Sequence, residues 1–278
     1  MSEFSTFYLF ATALAVGIAS MLPFVPFEQV GRRFYVLMSL IAVGFIALAV
    51  VDRGLDVHYG LFAFAGLMIA YNVVLPPAPR VDPGVSREER SRDRSASRTL
   101  ANGLLLLAIV AGVVGLAGDS LAHAEHLETR AGLEILTVAT ALSTAAFLGA
   151  AVVAMTLGHW YLVLHGASFG PLRRLTVILA IAILARILTS LGASYWQGHV
   201  VEAATSAGLT RFLLGDGVFV IARWLFGLAA PLILVRLVWG CLRIESNQSA
   251  TGILYVIVAF GILGELLAKH YQVSGWIL

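Results

Sequence analysis

The chain has 278 residues, of which 59% are hydrophobic and only 12% are charged, and its formal net charge is +2. A soluble domain carries roughly 25% charged residues, so the composition excludes a water-soluble globular protein and predicts lipid as the main solvent. A single cysteine, Cys241, excludes a disulfide framework or a cysteine-ligated iron–sulfur cluster within one chain. Nothing in the charge pattern predicts a nucleic-acid partner.

Eight apolar runs approach the roughly 20 residues that a helix needs to cross a bilayer. In chain order they are Phe7–Leu22, Phe34–Val51, Tyr59–Val74, Leu100–Ala117, Leu133–Leu162, Leu172–Tyr195, Val218–Trp239 and Thr251–Leu267. The start, Met1–Ser5, has no basic stretch and no small-residue cleavage site, so we expect the first run to be retained as a span. The sequence therefore predicts an all-α, polytopic transmembrane helix bundle of two four-helix halves.

Proline positions and one charged stretch support this division. Seven of the eight prolines fall between the runs, and only Pro231 lies inside one, which predicts a kink in span 7. The stretch 80–98, rich in arginine and serine, is predicted to be a mobile cytoplasmic loop. It would serve either as a plain linker or as a strip that docks anionic lipid or a soluble partner. The expected organisation is spans 1–3 in residues 1–79, the loop in 80–98 and spans 4–8 in 99–278.

The arginines predict the orientation of the bundle. The loops after spans 1, 3, 5 and 7 hold most of them: Arg32, Arg33, six between Arg80 and Arg98, Arg173, Arg174 and Arg243. The opposite side holds only Arg53, Arg130, Arg211 and the terminal Lys269. Short loops that are rich in arginine and lysine stay on the cytoplasmic side of the membrane. Both termini are therefore expected on the non-cytoplasmic side.

A short internal similarity accompanies this topology. Arg32-Arg-Phe-Tyr-Val-Leu opens span 2, and Arg173-Arg-Leu-Thr-Val-Ile opens span 6, the second span of each half. Either an internal duplication or the positive-inside rule alone accounts for the match.

Three ionisable residues lie inside predicted spans: Arg186 in span 6, Arg223 in span 7 and Glu265 in span 8. Such residues are costly in lipid and mark functional sites by default. At 1.5 Å per residue, Arg223 and Glu265 fall at similar depth in the outer half. They would form either an ion pair that fixes helix register or, because two arginines exceed one glutamate, a polar cavity for an electron-rich oxygen ligand.

Histidines extend the list of candidates. His270 ends span 8 on the outer side, and His159 lies near the cytoplasmic end of span 5, where Gly158 would permit close approach of a helix or ligand. A b-type haem needs two facing imidazoles at similar depth, and the positions buried in spans supply only His159. At the outer side, His58 could pair with His270. His123 and His126 stand three residues apart, but two ligands do not complete a metal site.

The span-8 run Gly264-Glu-Leu-Leu-Ala-Lys-His270, together with eight spans in two halves, resembles the quinone-interacting membrane anchors of respiratory oxidoreductases, of the NrfD/polysulfide-reductase or dimethyl-sulfoxide-reductase type. The resemblance implies a subunit of the bacterial cytoplasmic (inner) membrane that binds quinone rather than haem b. Such a subunit passes electrons to an iron–sulfur or cytochrome partner.

On this reading, Arg186 or Arg223 polarises the quinone oxygens, and Glu265 passes protons outward through His270. His159 is a second polar site.

Two other functions remain open. The buried arginines could bind the substrate of an anion or weak-acid transporter, although no pair of Gly/Pro-interrupted helices occurs at corresponding positions of the halves. Alternatively, the chain is a non-catalytic structural subunit whose arginines are satisfied by partners. No soluble-enzyme signature such as GxGxxG, HExxH or GxSxG is found.

Overall fold

The computed structural model describes residues 5–54, 56–76, 87–126, 133–163, 168–196 and 217–273, and within these ranges the elements are all helical. The helices are α1 Thr6–Met21, α2 Phe27–Arg53, α3 Tyr59–Val74, α4 Arg87–His126, α5 Leu133–Val163, α6 Gly170–Trp196, α7 Gly217–Arg243 and α8 Asn247–Val273. A 3₁₀ turn, Leu22–Phe24, extends α1. The eight predicted spans each coincide with one helix.

The helices have the length and surface of a membrane protein. Seven of those described are long and apolar enough to cross a bilayer, and α3 is a shorter apolar helix of 16 residues. Large apolar side chains such as Leu40, Val110 and Leu188 are exposed on the outside of the bundle, where lipid would surround them. The prediction of an all-α, multi-pass membrane bundle is confirmed.

Helices α1 and α5 form the centre of the bundle. In α1, 78% of the most apolar window is buried, and in α5 67%, against 28–39% in the other five long helices. The two cross where neither backbone carries a large side chain. A Cβ atom on Gly17 would lie 2.0 Å from the Ala145 carbonyl oxygen, and one on Gly149 would lie 2.2 Å from the Gly17 carbonyl carbon. Small residues thus permit contact between the helix backbones.

The two halves repeat one packing pattern. In the first half α1 packs on α2, α2 on α3, α3 on α4, and α4 back on α1; α5 to α8 follow the same order. The third and fourth helices of each half cross at a pair of glycines, Gly60 with Gly115 and Gly227 with Gly264. Contacts of α5 with α1 and α4, and of α8 with α1, join the halves.

The matching Arg-Arg pairs also have equivalent contacts. Arg32 Nη2 donates to the Asn72 carbonyl oxygen at 3.1 Å, near the end of α3. Arg173 Nη2 donates to the Leu242 carbonyl oxygen at 2.8 Å, near the end of α7. In each half, the first arginine therefore ties the second helix to the end of the third, which supports the interpretation of the similarity as a duplication.

The prediction of a loop over residues 80–98 is wrong from residue 87 onward, because α4 begins at Arg87. Proline and glycine are absent from the sequence between Arg87 and Asn102, so nothing there interrupts a helix. The helix that contains span 4 therefore begins at Arg87, whereas the part of it apolar enough to cross a membrane begins at Ser95. Residues 77–86 lie outside the described residues.

The predicted distortion at Pro231 takes the form of a π-helical turn. Helix α7 is α-helical over Gly217–Trp224, π-helical over Leu225–Ala229 and α-helical again over Ala230–Arg243. Pro231 has no N–H to donate to the carbonyl four residues earlier, and the neighbouring Ala230 N–H bonds instead to the Leu225 carbonyl, five residues back. Single π-helical turns of this kind are frequent at functional sites.

Candidate functional site: a buried cluster of charges in the second half

The carboxylate of Glu265 on α8 lies at the meeting point of four helices. Arg186 Nε of α6 donates to both carboxylate oxygens, at 3.0 and 3.2 Å. Arg223 Nη2 of α7 donates to Oε1 at 3.1 Å, and Thr144 Oγ1 of α5 donates to Oε2 at 2.9 Å. All four helices of the second half therefore contribute to a single site.

The charged side chains of the site are buried. Arg186, Arg223 and Glu265 are each 0% exposed, and Lys269, one helical turn after Glu265, is 1% exposed. Lys269 Nζ donates to Gln272 Oε1 at 2.9 Å, and its charge lies close enough to interact with that of Glu265. Three cationic side chains thus surround one carboxylate, and such an excess of buried positive charge is costly unless an anion or electron-rich group offsets it.

Local sequence explains how α7 presents its arginine. A Cβ on Gly227 would lie 2.6 Å from Arg223 Nη1 and 2.8 Å from the Gly264 Cα. Glycine at both positions therefore lets α7 and α8 touch and leaves room for the guanidinium. The π-helical turn begins two residues after Arg223. Backbone proximity and the altered helix turn together direct Arg223 at Glu265.

The two arginines differ in how fully they are hydrogen-bonded. Arg186 also donates from Nη1 to Ser190 Oγ at 2.7 Å. Arg223 Nε and Nη1, by contrast, are buried and find no hydrogen-bond partner among the residues that the structure describes. Buried polar groups are usually paired, so these two N–H groups are available to donate to a ligand oxygen.

Three of the predicted site residues, Arg186, Arg223 and Glu265, are therefore brought together. His270 is not on their face of α8: it is exposed, and its ring lies edge-on to Tyr271 with the centroids 5.8 Å apart. Lys269 occupies the buried position one turn after Glu265. The sequence analysis counted Lys269 only among the charges of the non-cytoplasmic side. A spacing of four residues puts it on the same helix face as Glu265.

His159 lies on the exposed surface of the helix bundle rather than in an interior pocket. It is exposed, and its Nδ1 shares a hydrogen bond of 3.2 Å with the hydroxyl of Tyr255 on α8. The adjacent Gly158 does permit close approach of a helix, since a Cβ there would lie 2.7 Å from Thr251 Oγ1. The second polar site is thus a surface pair of a histidine and a tyrosine.

The other histidines have separate environments. His58 accepts a hydrogen bond from the Gly60 N–H at 3.0 Å and so caps α3. His123 is buried and donates from Nε2 to the Gln272 carbonyl oxygen at 3.1 Å. The side chain of His126 lies outside the described part of the chain. Within that part, no group of three or more His, Cys, Asp or Glu residues is arranged to hold a metal ion.

A second polar cluster, which sequence reasoning missed, lies where α1 begins and α2 and α4 end. The Tyr8 hydroxyl donates to Asp119 Oδ2 at 2.5 Å. Arg53 Nη1 lies 3.9 Å from Asp119 Oδ1, and its guanidinium carbon lies 4.8 Å from the centre of the Tyr8 ring. Asp119 closely follows the apolar run of span 4, and that position was the available signal.

No family model, curated protein or solved structure matches this chain.

Proposed function

We propose that the chain is an integral membrane subunit of a respiratory or electron-transfer complex, which binds quinone or quinol at the cluster of Arg186, Arg223 and Glu265. Electrons would pass to partner subunits that include an iron–sulfur or cytochrome protein. The observation that carries the proposal is the pair of buried Arg223 nitrogens without a partner among the described residues, beside a carboxylate. A quinone site combines hydrogen-bond donors for the carbonyl oxygens with a nearby proton acceptor.

The chemistry follows from these groups. Quinol oxidation releases two electrons and two protons, and a quinone oxygen becomes more electron-rich as it is reduced. Arg223 donates to that oxygen in either state, because a guanidinium stays protonated. Glu265 would accept a proton only transiently, because its neutral form leaves Arg186 and Arg223 without a counter-charge. Arg186 and Thr144 hold its carboxylate in place. The exposed His270 lies further along α8 and would exchange protons with the aqueous phase.

Binding can be tested on the purified chain with Arg223→Met. A charged hydrogen bond contributes about 1.5–3 kcal/mol, so we expect the variant to bind a short-chain quinone about ten- to a hundred-fold more weakly. Because Glu265 keeps Arg186, the fold should survive. Quenching of tryptophan fluorescence is a suitable measurement, since Trp224 adjoins Arg223.

Arg236→Met is the matched control, because Arg236 is exposed on the same helix. It should leave quinone affinity unchanged. Failure of the wild-type chain to bind short-chain quinones, or equal affinity in wild type and Arg223→Met, would refute the proposed site.

A structural role is the second candidate, and one observation favours it. The Glu265 carboxylate already accepts hydrogen bonds from Arg186, Arg223 and Thr144, so the cluster could simply lock four helices in register. In that case Arg223→Met would alter stability or subunit assembly without any effect on quinone binding.

We further propose that the protein lies in the bacterial cytoplasmic membrane with both termini on the non-cytoplasmic side. The arginine asymmetry supports this orientation. An alkaline phosphatase fused after Leu278 should be active in cells. A green fluorescent protein fused at the same position should be dark, because it does not fold after export by the general secretory route. An inactive phosphatase fusion together with a fluorescent one would show that the C-terminus lies in the cytoplasm.

A further inference from the structure

A cavity of about 690 Å³ lies where α1 ends and α6 begins, beside residues 98–106 of α4. This arginine-rich end is opposite the Glu265 cluster, which lies toward the end of α8. The cavity falls within the usual range of ligand pockets, about 300–1,000 Å³. Its lining includes Leu22 and Tyr35 of the first half and Pro171 and Arg174 of the second, so it joins the two halves.

One part of the cavity is polar and positively charged. Arg98 and Asn102 of α4 and Arg174 of α6 line it. Arg98 forms an ion pair with Glu28 and also lies over the Phe27 ring, with 5.6 Å from its guanidinium carbon to the ring centre. Arg174 is exposed and gives the cavity a positive charge in excess of the Arg98–Glu28 pair.

The remaining lining is apolar and continues onto the lipid-facing surface. Leu105 and Leu75 are buried within it, whereas Phe24 is 39% exposed and Leu106 is 58% exposed. Along α4 the lining changes from polar to apolar, because Arg98, Asn102 and the pair Leu105–Leu106 occupy successive helical turns. The cavity thus changes from charged to apolar in the same order as a phospholipid changes from its headgroup to its acyl chains.

We propose that this cavity binds an anionic phospholipid, with the phosphate at Arg98 and Arg174 and the acyl chains along Leu105 and Leu106. Basic pockets between transmembrane helices are suited to such headgroups. A free soluble anion would use only the arginines and leave the apolar wall uncovered, whereas a lipid matches both parts. The bound lipid would bridge α4 and α6 and so hold the halves together. This inference does not depend on the proposed quinone site.

The test is lipid-dependent thermal stability of the purified chain in a neutral detergent. Phosphatidylglycerol should raise the unfolding midpoint saturably, and phosphatidylcholine should have a much smaller effect. Arg174→Gln should weaken the apparent affinity for phosphatidylglycerol about fivefold, because one juxtamembrane arginine contributes about 1 kcal/mol toward an anionic lipid. Asn102→Trp, which places a bulky side chain in the cavity without changing charge, should weaken the saturable stabilisation.

Arg33→Gln is the matched control. Arg33 is the second arginine of the corresponding pair on α2 and is exposed at the same end, but it does not line the cavity. It should leave the affinity unchanged. An equal response to phosphatidylcholine, an equal loss in Arg33→Gln and Arg174→Gln, or the same stabilisation by inorganic phosphate alone would each overturn the proposal.

Discussion

Glu265→Gln should be the most destabilising change at the charge cluster, with an expected loss of about 3–5 kcal/mol. The variant leaves Arg186 and Arg223, both 0% exposed, without the carboxylate that each contacts. An uncompensated buried charge costs more than the original pair contributed. The measurement is the unfolding midpoint in one fixed detergent, together with the fraction of monodisperse protein on size exclusion.

The arginine variants provide the control for this prediction. Arg223→Met should be tolerated far better, because Arg186 still pairs with Glu265 through two hydrogen bonds. Adding Arg186→Met and Arg223→Met to Glu265→Leu should recover much of the stability, since well-packed apolar groups can replace a buried ion cluster. Wild-type stability in Glu265→Gln would show that the cluster does not compensate its charges as the contacts indicate.

The sequence predicted well the number of helices and the common level of Arg223 and Glu265 along their helices, because both follow from counting residues. Apolar runs of span length map directly onto helices in lipid. The similar depth of Arg223 and Glu265 follows from the fixed rise per residue, and the two side chains meet at 3.1 Å. Depth alone does not tell which face of a helix points inward. For that reason His270 was predicted at the site, where the structure has Lys269.

Contacts between distant segments could not be predicted. Thr144 reaches Glu265 from a position 121 residues earlier in the chain, and a buried threonine in an apolar run has no distinctive pattern. The same holds for the cluster of Tyr8, Arg53 and Asp119, which combines three helices. Only the packing of α5 on α8, and of α1 on α2 and α4, brings these residues together.

The error over residues 80–98 has a different cause. High charge shows that a segment is outside the hydrocarbon, but it does not show that the segment is irregular. Arginine and glutamate are good helix formers, and α4 therefore extends from Arg87 through the charged stretch into the apolar run. Hydropathy located the apolar run, whereas proline and glycine positions were the better guide to where the helix begins.

Gly264→Ala should be strongly destabilising, by about 3 kcal/mol or more, although it adds a single methyl group. The new Cβ would lie 2.2 Å from the Gly227 Cα, and a backbone atom cannot move aside as a flexible side chain can. Helix α8 would have to separate from α7. Gly252→Ala is the matched control on the same helix, because a Cβ there meets nothing within 4 Å, so it should be neutral or slightly stabilising.

The separation would also act on the site, because Arg223 and Glu265 lie on the two helices that Gly264 joins. The Arg223–Glu265 contact of 3.1 Å should be lost before the contact of Glu265 with Arg186 on α6. Gly264→Ala is therefore expected to weaken short-chain quinone binding as Arg223→Met does, and adding Arg223→Met should weaken binding little further. If Gly264→Ala and Gly252→Ala instead have the same unfolding midpoint and the same quinone affinity, close contact of α7 with α8 is not what positions Arg223.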